Sequence, residues 1–215
     1  MQKPFIRNHQ YNLIKKQARL VQNALRTVSD RNVIQSVREG AEYTIAEQFR
    51  EPEQRERVQG ISLLETSEQL EAYLRELELY LLEFPELTEI QIRKLFPKNK
   101  KLKVPDLKQM DRRYMSYLSW MDIATNKLFM VYPVDGQFVG LEGRYTPINK
   151  QGYCFICNKQ EELALFSALS KKRPEKSSPD YYKTVGNYLC TDSQACNENM
   201  TDLSALERFI ASVMA

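Results

Sequence analysis

Four cysteines carry the strongest chemical signal in this chain. Cys154 and Cys157 lie in Gly-Tyr-Cys-Phe-Ile-Cys-Asn-Lys, and Cys190 and Cys196 in Tyr-Leu-Cys-Thr-Asp-Ser-Gln-Ala-Cys. Two thiol pairs, C-x2-C and C-x5-C, brought together from a distance supply the four soft ligands of a tetrahedral Zn2+ site. A catalytic zinc keeps one position open for water. Here the four cysteines fill every position, and the single histidine, His9, lies far off in a helical region. The spacing therefore predicts one closed, structural zinc ion held by Cys154, Cys157, Cys190 and Cys196. Such a site contributes on the order of 10 kcal/mol to folding, enough to order loops that have little core of their own. A knuckle at 154–157, a hairpin-like middle and a last ligand feeding a helix describe a treble-clef-like zinc finger. The rival is thiol–disulfide chemistry at Cys154-Phe-Ile-Cys157. A redox pair normally caps a helix after a strand, whereas Asn158-Lys159 follows here and a second thiol pair waits downstream.

Other chemistries find little support. With one histidine, a Ser-His or Cys-His pair would have to use His9, and His9-Gln-Tyr-Asn12 offers no nucleophile context. No phosphate-cradling G-x-x-x-x-G-K-[ST] or G-x-G-x-x-G occurs among only seven glycines. The expectation is a protein that is not an enzyme and has no small-molecule substrate. No apolar run approaches ~18 residues and no apolar leader follows Met-Gln-Lys-Pro, so neither a membrane span nor a secretory signal is expected. A cytoplasmic location follows, and there paired cysteines favour metal over disulfides.

The elements that must position the cysteines fall into two groups. Tyr11, Ile14, Ala18, Val21, Leu25 and Val28 recur at helical spacing, and Ile34, Val37, Ala41, Ile45 and Phe49 form a second stripe beyond Ser29-Asp30. A third helix is expected from Pro52 through Val58, Ile61 and Leu64, weakened by Gly60. Thr66 with Gln69 reads as a capping box for a fourth, carrying Leu70, Leu74, Leu77, Leu81 and Phe84 up to Pro85. Four amphipathic helices with short connections bury their stripes most simply as a bundle over residues 1–87. Thr88 and Gln91 cap a short helix ending at Phe96-Pro97.

From there β-formers dominate. Strands are expected over 115–123, 127–134 and 137–145, the last two joined by the hairpin signal Asp135-Gly136. Residues 170–180 read as an exposed polar loop, and Thr201-Asp202 starts a final helix with Leu203, Leu206, Phe209, Ile210 and Val213 as its apolar side. The fold class is thus α+β: an all-helical bundle at 1–87, then a mixed α/β domain at 88–215 whose zinc-binding part is 152–215. The charge alternates along it, +5 over residues 1–44, −7 over 45–87, +6 over 88–150 and −1 over 151–215. The basic run Lys98-Asn-Lys100-Lys101-Leu-Lys103-Val-Pro105 is either a solvated linker or a contact for ribosomal RNA.

The cysteine block with Asn187-Tyr-Leu-Cys and Cys196-Asn197, together with His9-Gln-Tyr-Asn12, Ser119-Trp120, Thr201-Asp202 and Phe209-Ile210, resembles the bacterial elongation factor G-binding proteins, whose best-known members confer fusidic acid resistance. The likeness runs through nearly the whole chain in order. It implies a helical bundle, a four-cysteine zinc domain, and binding to elongation factor G through that domain. It further implies release of the factor from the ribosome, which rescues complexes stalled by fusidic acid or tunes translocation and recycling. The family binds through aromatic residues and a lysine around the zinc loops. By position Tyr153, Tyr188 and Phe209 match the aromatics. Val185 stands where the family has lysine, with Lys183 two residues earlier. From a different class, the alternative is a ribosome-associated RNA-binding zinc-finger protein using Lys98, Lys100, Lys101 and Lys103.

Overall fold

The computed structural model describes residues 3–170, 178 and 182–214, so the expected 170–180 loop lies outside them save for Ser170 and Ser178. The chain divides into two compact units, Met1–Leu82 and Glu83–Ala215. Residues 83–87, read from the sequence as the end of the bundle, fall in the second unit.

The first unit is helical. Helices α1 (Asn8–Thr27), α2 (Arg31–Ala46), α3 (Pro52–Val58) and α4 (Ser67–Leu77) each turn one apolar stripe inward. Ile14, Val21, Ala41, Ile45, Phe49, Val58, Ile61, Leu70 and Leu77 are buried. Asp30 starts α2 by accepting from the Asn32 amide, and Thr66 and Gln69 form the expected capping box on α4. The motif around His9 is a staple here. Gln10 donates to the Gln48 carbonyl, and the Tyr11 hydroxyl reaches the Leu74 carbonyl and Glu78.

Two helices are shorter than their periodicity suggests. α3 stops at Val58 because Gly60 adopts φ 111°, and Ile61–Leu63 continue only as a 3-10 turn. The Glu42 carboxylate holds that turn by accepting from the Gly60 and Ser62 amides, both at 2.9 Å. α4 ends at Leu77 and tightens into a 3-10 turn at Glu78–Tyr80, so Leu81 and Phe84 are not on its stripe. Leu81 is instead extended and pairs with Ile6 in a parallel bridge.

The second unit is a five-stranded antiparallel meander. α5 (Glu89–Leu95), capped by Thr88 and Gln91, precedes β1 (Leu118–Asp122), β2 (Lys127–Val134), β3 (Gln137–Tyr153), β4 (Gln160–Leu169) and β5 (Thr184–Cys190). The strands lie in the order of the chain, each antiparallel to the next. Asp135 and Gly136 both take positive φ, 48° and 76°, as a two-residue primed turn requires. β3 runs eight residues beyond the expected end at 145, across an irregularity between Ile148 and Gln151. α6 (Ser193–Asn199) and α7 (Ser204–Met214) follow the sheet.

β2 is apolar residue after residue because it is covered on both faces. Leu128, Met130 and Tyr132 enter one core with β4, the four cysteines and α7. Phe129 and Val131 enter a second with Ile92, Phe96, Leu102 and Leu118. α5 approaches β3 so closely that a Cβ on Gly140 would meet Leu95 and Phe96 at 2.9 Å. The basic run is anchored at Phe96 and Leu102, which are buried in this second core, and Val104, Leu107, Met110 and Met115 beyond it pack against the same core, so it is not a free linker.

Candidate metal centre

The four cysteines reach one point from three local structures. Cys154 and Cys157 sit in the tight turn after β3, where the Cys154 amide bonds the Lys159 carbonyl and Asn158, at φ 52°, donates back to the Cys154 carbonyl. The Ile156 amide points at the Cys154 sulfur, 3.4 Å away. Cys190 is the last residue of β5. Cys196 is the fourth residue of α6, whose start is fixed by Asp192 accepting from the Gln194 and Ala195 amides at 2.8 and 3.3 Å. The wide C-x5-C spacing is thus a strand-to-helix switch, with Thr191-Asp192 as the corner.

All four thiols are free and buried, and their sulfur atoms lie within 4.8 Å of one another. The separations Cys154–Cys196, 3.8 Å, and Cys157–Cys190, 3.6 Å, are far longer than the ~2.05 Å of a disulfide. They match the edge of a tetrahedron with metal–sulfur bonds of ~2.3 Å, which is about 3.8 Å. The donor set, the spacing and the burial fit a soft, four-coordinate cation. By themselves the thiols compete for charge. Cys154 is held well below the ordinary thiol range, first by its hydrogen bond with Cys157 and then by those with Cys190 and Cys196. Cys190 and Cys196 are pushed up, chiefly by their hydrogen bonds with Cys154. A central dication held by Cys154, Cys157, Cys190 and Cys196 would remove that competition by making every sulfur a thiolate ligand.

Two residues outside the ligand set fix the site to the sheet. Asn197, 4% exposed, accepts from the Ser116 and Tyr117 amides at 2.7 and 3.2 Å. Its amide nitrogen donates to the Tyr117 and Ser193 carbonyls at 3.0 and 2.9 Å. Every hydrogen-bonding group of the side chain is used, and the helix bearing Cys196 is locked to the chain entering β1. Tyr117 is fully buried, so its phenol is pushed far above the ordinary range, first by burial and then by the neighbouring Cys196 sulfur. It stays protonated beside that sulfur. Partners of this kind orient metal ligands in well-characterised sites. Asn197 was visible in the sequence only as the residue following a cysteine, and nothing marked Tyr117.

Two family models cover the chain: one described as elongation factor G-binding protein, N-terminal, matches residues 5–85, and one described as FBP C-terminal treble-clef zinc-finger matches residues 93–210. The chain belongs to the elongation factor G-binding protein family. It is also similar to the solved structure of the fusidic acid resistance protein FusC, with 28% identity and a TM-score of 0.79 over 97% of both chains. No curated protein sequence matches it. Membership agrees with the geometry of the chain: four clustered cysteines in a domain matched as a treble-clef zinc finger, preceded by helices. No helix among the described residues is long and apolar enough to cross a membrane.

The residues expected to meet a partner divide in two. Tyr153, at the end of β3, is 69% exposed, and Tyr188, on β5 opposite Leu165, is 47% exposed. Lys183 is exposed just before β5, its carbonyl accepting from the Ser170 amide at 2.8 Å. Phe209 is buried instead, with its ring 5.2 Å from Phe155 and 5.7 Å from Phe166. Val185 packs against the metal-side core opposite Ala168, so that position presents no charge. The sequence reading passed over Phe155. It is half-buried between two ligands, rests on Phe209, and donates its amide to the Tyr188 carbonyl at 2.9 Å. A bulky aromatic inside a C-x2-C knuckle is its signal in the sequence.

Proposed function

We propose that this protein binds elongation factor G through the surface around a single structural Zn2+, promotes the factor's release from the ribosome, and so protects translation from fusidic acid. The observation that carries the proposal is the bond joining Phe155 to Tyr188. It ties the backbone of the metal knuckle to β5 at the exposed Tyr188, in a member of the elongation factor G-binding family. Zinc is held by Cys154, Cys157, Cys190 and Cys196. Tyr153, Lys183 and Tyr188 supply the exposed contact, and the buried Phe209, packed against Phe155 of the knuckle, supports it from within the core. A few aromatic anchors on a rigid support dominate the energy of such interfaces.

The mechanism needs no catalytic residue. A binding protein changes its partner's equilibrium only by preferring one state of it. Release follows if the docking surface fits the free factor better than the ribosome-bound one. The protein works where that factor works, in the cytoplasm. Titration of purified elongation factor G tests the contact. Tyr188→Ala and Tyr153→Ala are each expected to weaken binding by more than ~1 kcal/mol, about fivefold, with the melting curve unchanged. Unaltered affinity in both variants overturns the proposed surface. A ribosome-pelleting assay with elongation factor G and fusidic acid tests the outcome: the protein should move the factor to the supernatant, and a factor that stays in the pellet overturns release. The RNA-binding alternative rests on a different part of the molecule, the lysines of residues 98–103.

A further inference from the structure

Residues 93–108 carry seven basic side chains and one acid, Asp106. Lys94, Lys98, Lys100, Lys101, Lys103 and Lys108 are all exposed, and none has a carboxylate partner among the described residues. Nearby basic residues that do have partners, Arg93 with Glu89 and Arg112 with Glu83, show that carboxylates are within reach of this surface.

The backbone under these lysines is fixed. Phe96 and Leu102 are 3% and 4% exposed and belong to the second core of the sheet. Between them the Asn99 amide bonds the Phe96 carbonyl and the Leu102 amide bonds the Asn99 carbonyl, both at 3.0 Å. The Asn99 side chain donates to Glu142 on β3 and accepts from Lys127 on β2 at 2.9 Å. Lys98, Lys100, Lys101 and Lys103 therefore stand on a rigid double turn, and their charges are held together without the ordering cost that a disordered tail would bear.

From this arrangement we infer that the 94–108 surface binds the phosphate backbone of RNA, without reading its sequence. The chemistry favours a nucleic acid over an acidic protein. Protein interfaces draw their energy from buried aromatics and arginine and are poor in lysine. Between Lys94 and Lys108 no large apolar side chain is exposed, and Ile90, one turn before Lys94 on α5, is the exposed apolar residue at its edge. Lysine used as a point charge, repeated and unpaired, suits phosphates, whose released counterions supply the binding energy. The lysine surface stands on the core of Phe129 and Val131, and the metal centre on the core of Leu128 and Met130, so the two sites share no residue.

The test is a fluorescence-anisotropy titration of the full chain with a labelled 30-nucleotide single-stranded RNA across a salt series, with polyglutamate as competitor. The variant replaces Lys98, Lys100, Lys101 and Lys103 by Gln. Expected results are a loss of affinity of at least tenfold and a fall of about 3 in the log–log salt slope, since each single-strand phosphate contact contributes ~0.7. Affinity of the variant for elongation factor G and its melting curve should be unchanged, so that failure here is distinguishable from failure of the docking proposal. An unchanged slope and affinity overturns the inference. So does polyglutamate displacing RNA at equal charge concentration, which would assign the surface to an acidic protein.

Discussion

β2 and β5 belong to one sheet and are built on different terms. β2 is buried on both faces, with Phe129, Met130 and Val131 at 1% exposure or less. Its position is set by ordinary apolar packing. β5 alternates exposed and half-buried residues until Leu189 and Cys190, so most of its length offers little apolar area. It is held by its ladder to β4 and by ending on a metal ligand. The apolar end of the sheet is the support. The thiol end leaves Tyr188 exposed on β5, opposite Leu165 of β4.

The contrast can be broken most severely at the thiols. Chelation of the metal, or Cys196→Ser, removes a term on the order of 10 kcal/mol. Amide hydrogen exchange should then lose protection across β4, β5 and α6 while β1, β2 and the helices of the first unit keep theirs. Equal loss across β1 and β2 would mean that the two ends are not energetically distinct. Phe129→Ala attacks the other end. It empties a site packed against Phe96 and Trp120, whose ring centroids lie 5.0 and 5.4 Å away, and should cost about 3–5 kcal/mol by denaturant melting. Metal stoichiometry should stay at one per chain. Asn197→Ala tests the joint between the ends. Orphaning the Ser116 and Tyr117 amides should cost about 1–3 kcal/mol, and zinc affinity in chelator competition should fall about 10–100-fold. A variant with full zinc affinity would reduce Asn197 to a purely structural bond.

The same contrast decides what the sequence could reveal. Capping boxes at Thr66 and Thr88 and the Asp135-Gly136 turn were legible because each is complete within a few residues. The ligand set was legible because thiols are rare and their spacing is chemical. Leu81 and Phe84 misled because they extend a helical period although distant partners bury them, Ile6 for one and Phe138 for the other. β4, Gln-Glu-Glu-Leu-Ala-Leu-Phe-Ser-Ala-Leu, is rich in helix formers. It is a strand because Phe166 and Ala168 pack into a core that its own sequence does not announce. Phe209 was read as an anchor from its position in the family pattern, and the structure places it under Phe155. Whether an aromatic faces in or out depends on what covers it, and that is a property of the assembled unit.

The Asn197 clamp also joins the last ligand to a distant part of the chain. Its partner Ser116 lies 81 residues earlier, and the ligand beside it, Cys196, is the last of the four to be synthesised. Cys154, Cys157 and Cys190 belong to the end of the sheet, so the strands alone leave the cage one ligand short. The fourth thiol is in place only where α6 is held, and Asn197 holds α6 to the start of β1. Metal capture therefore reports on contacts far from the ligands themselves.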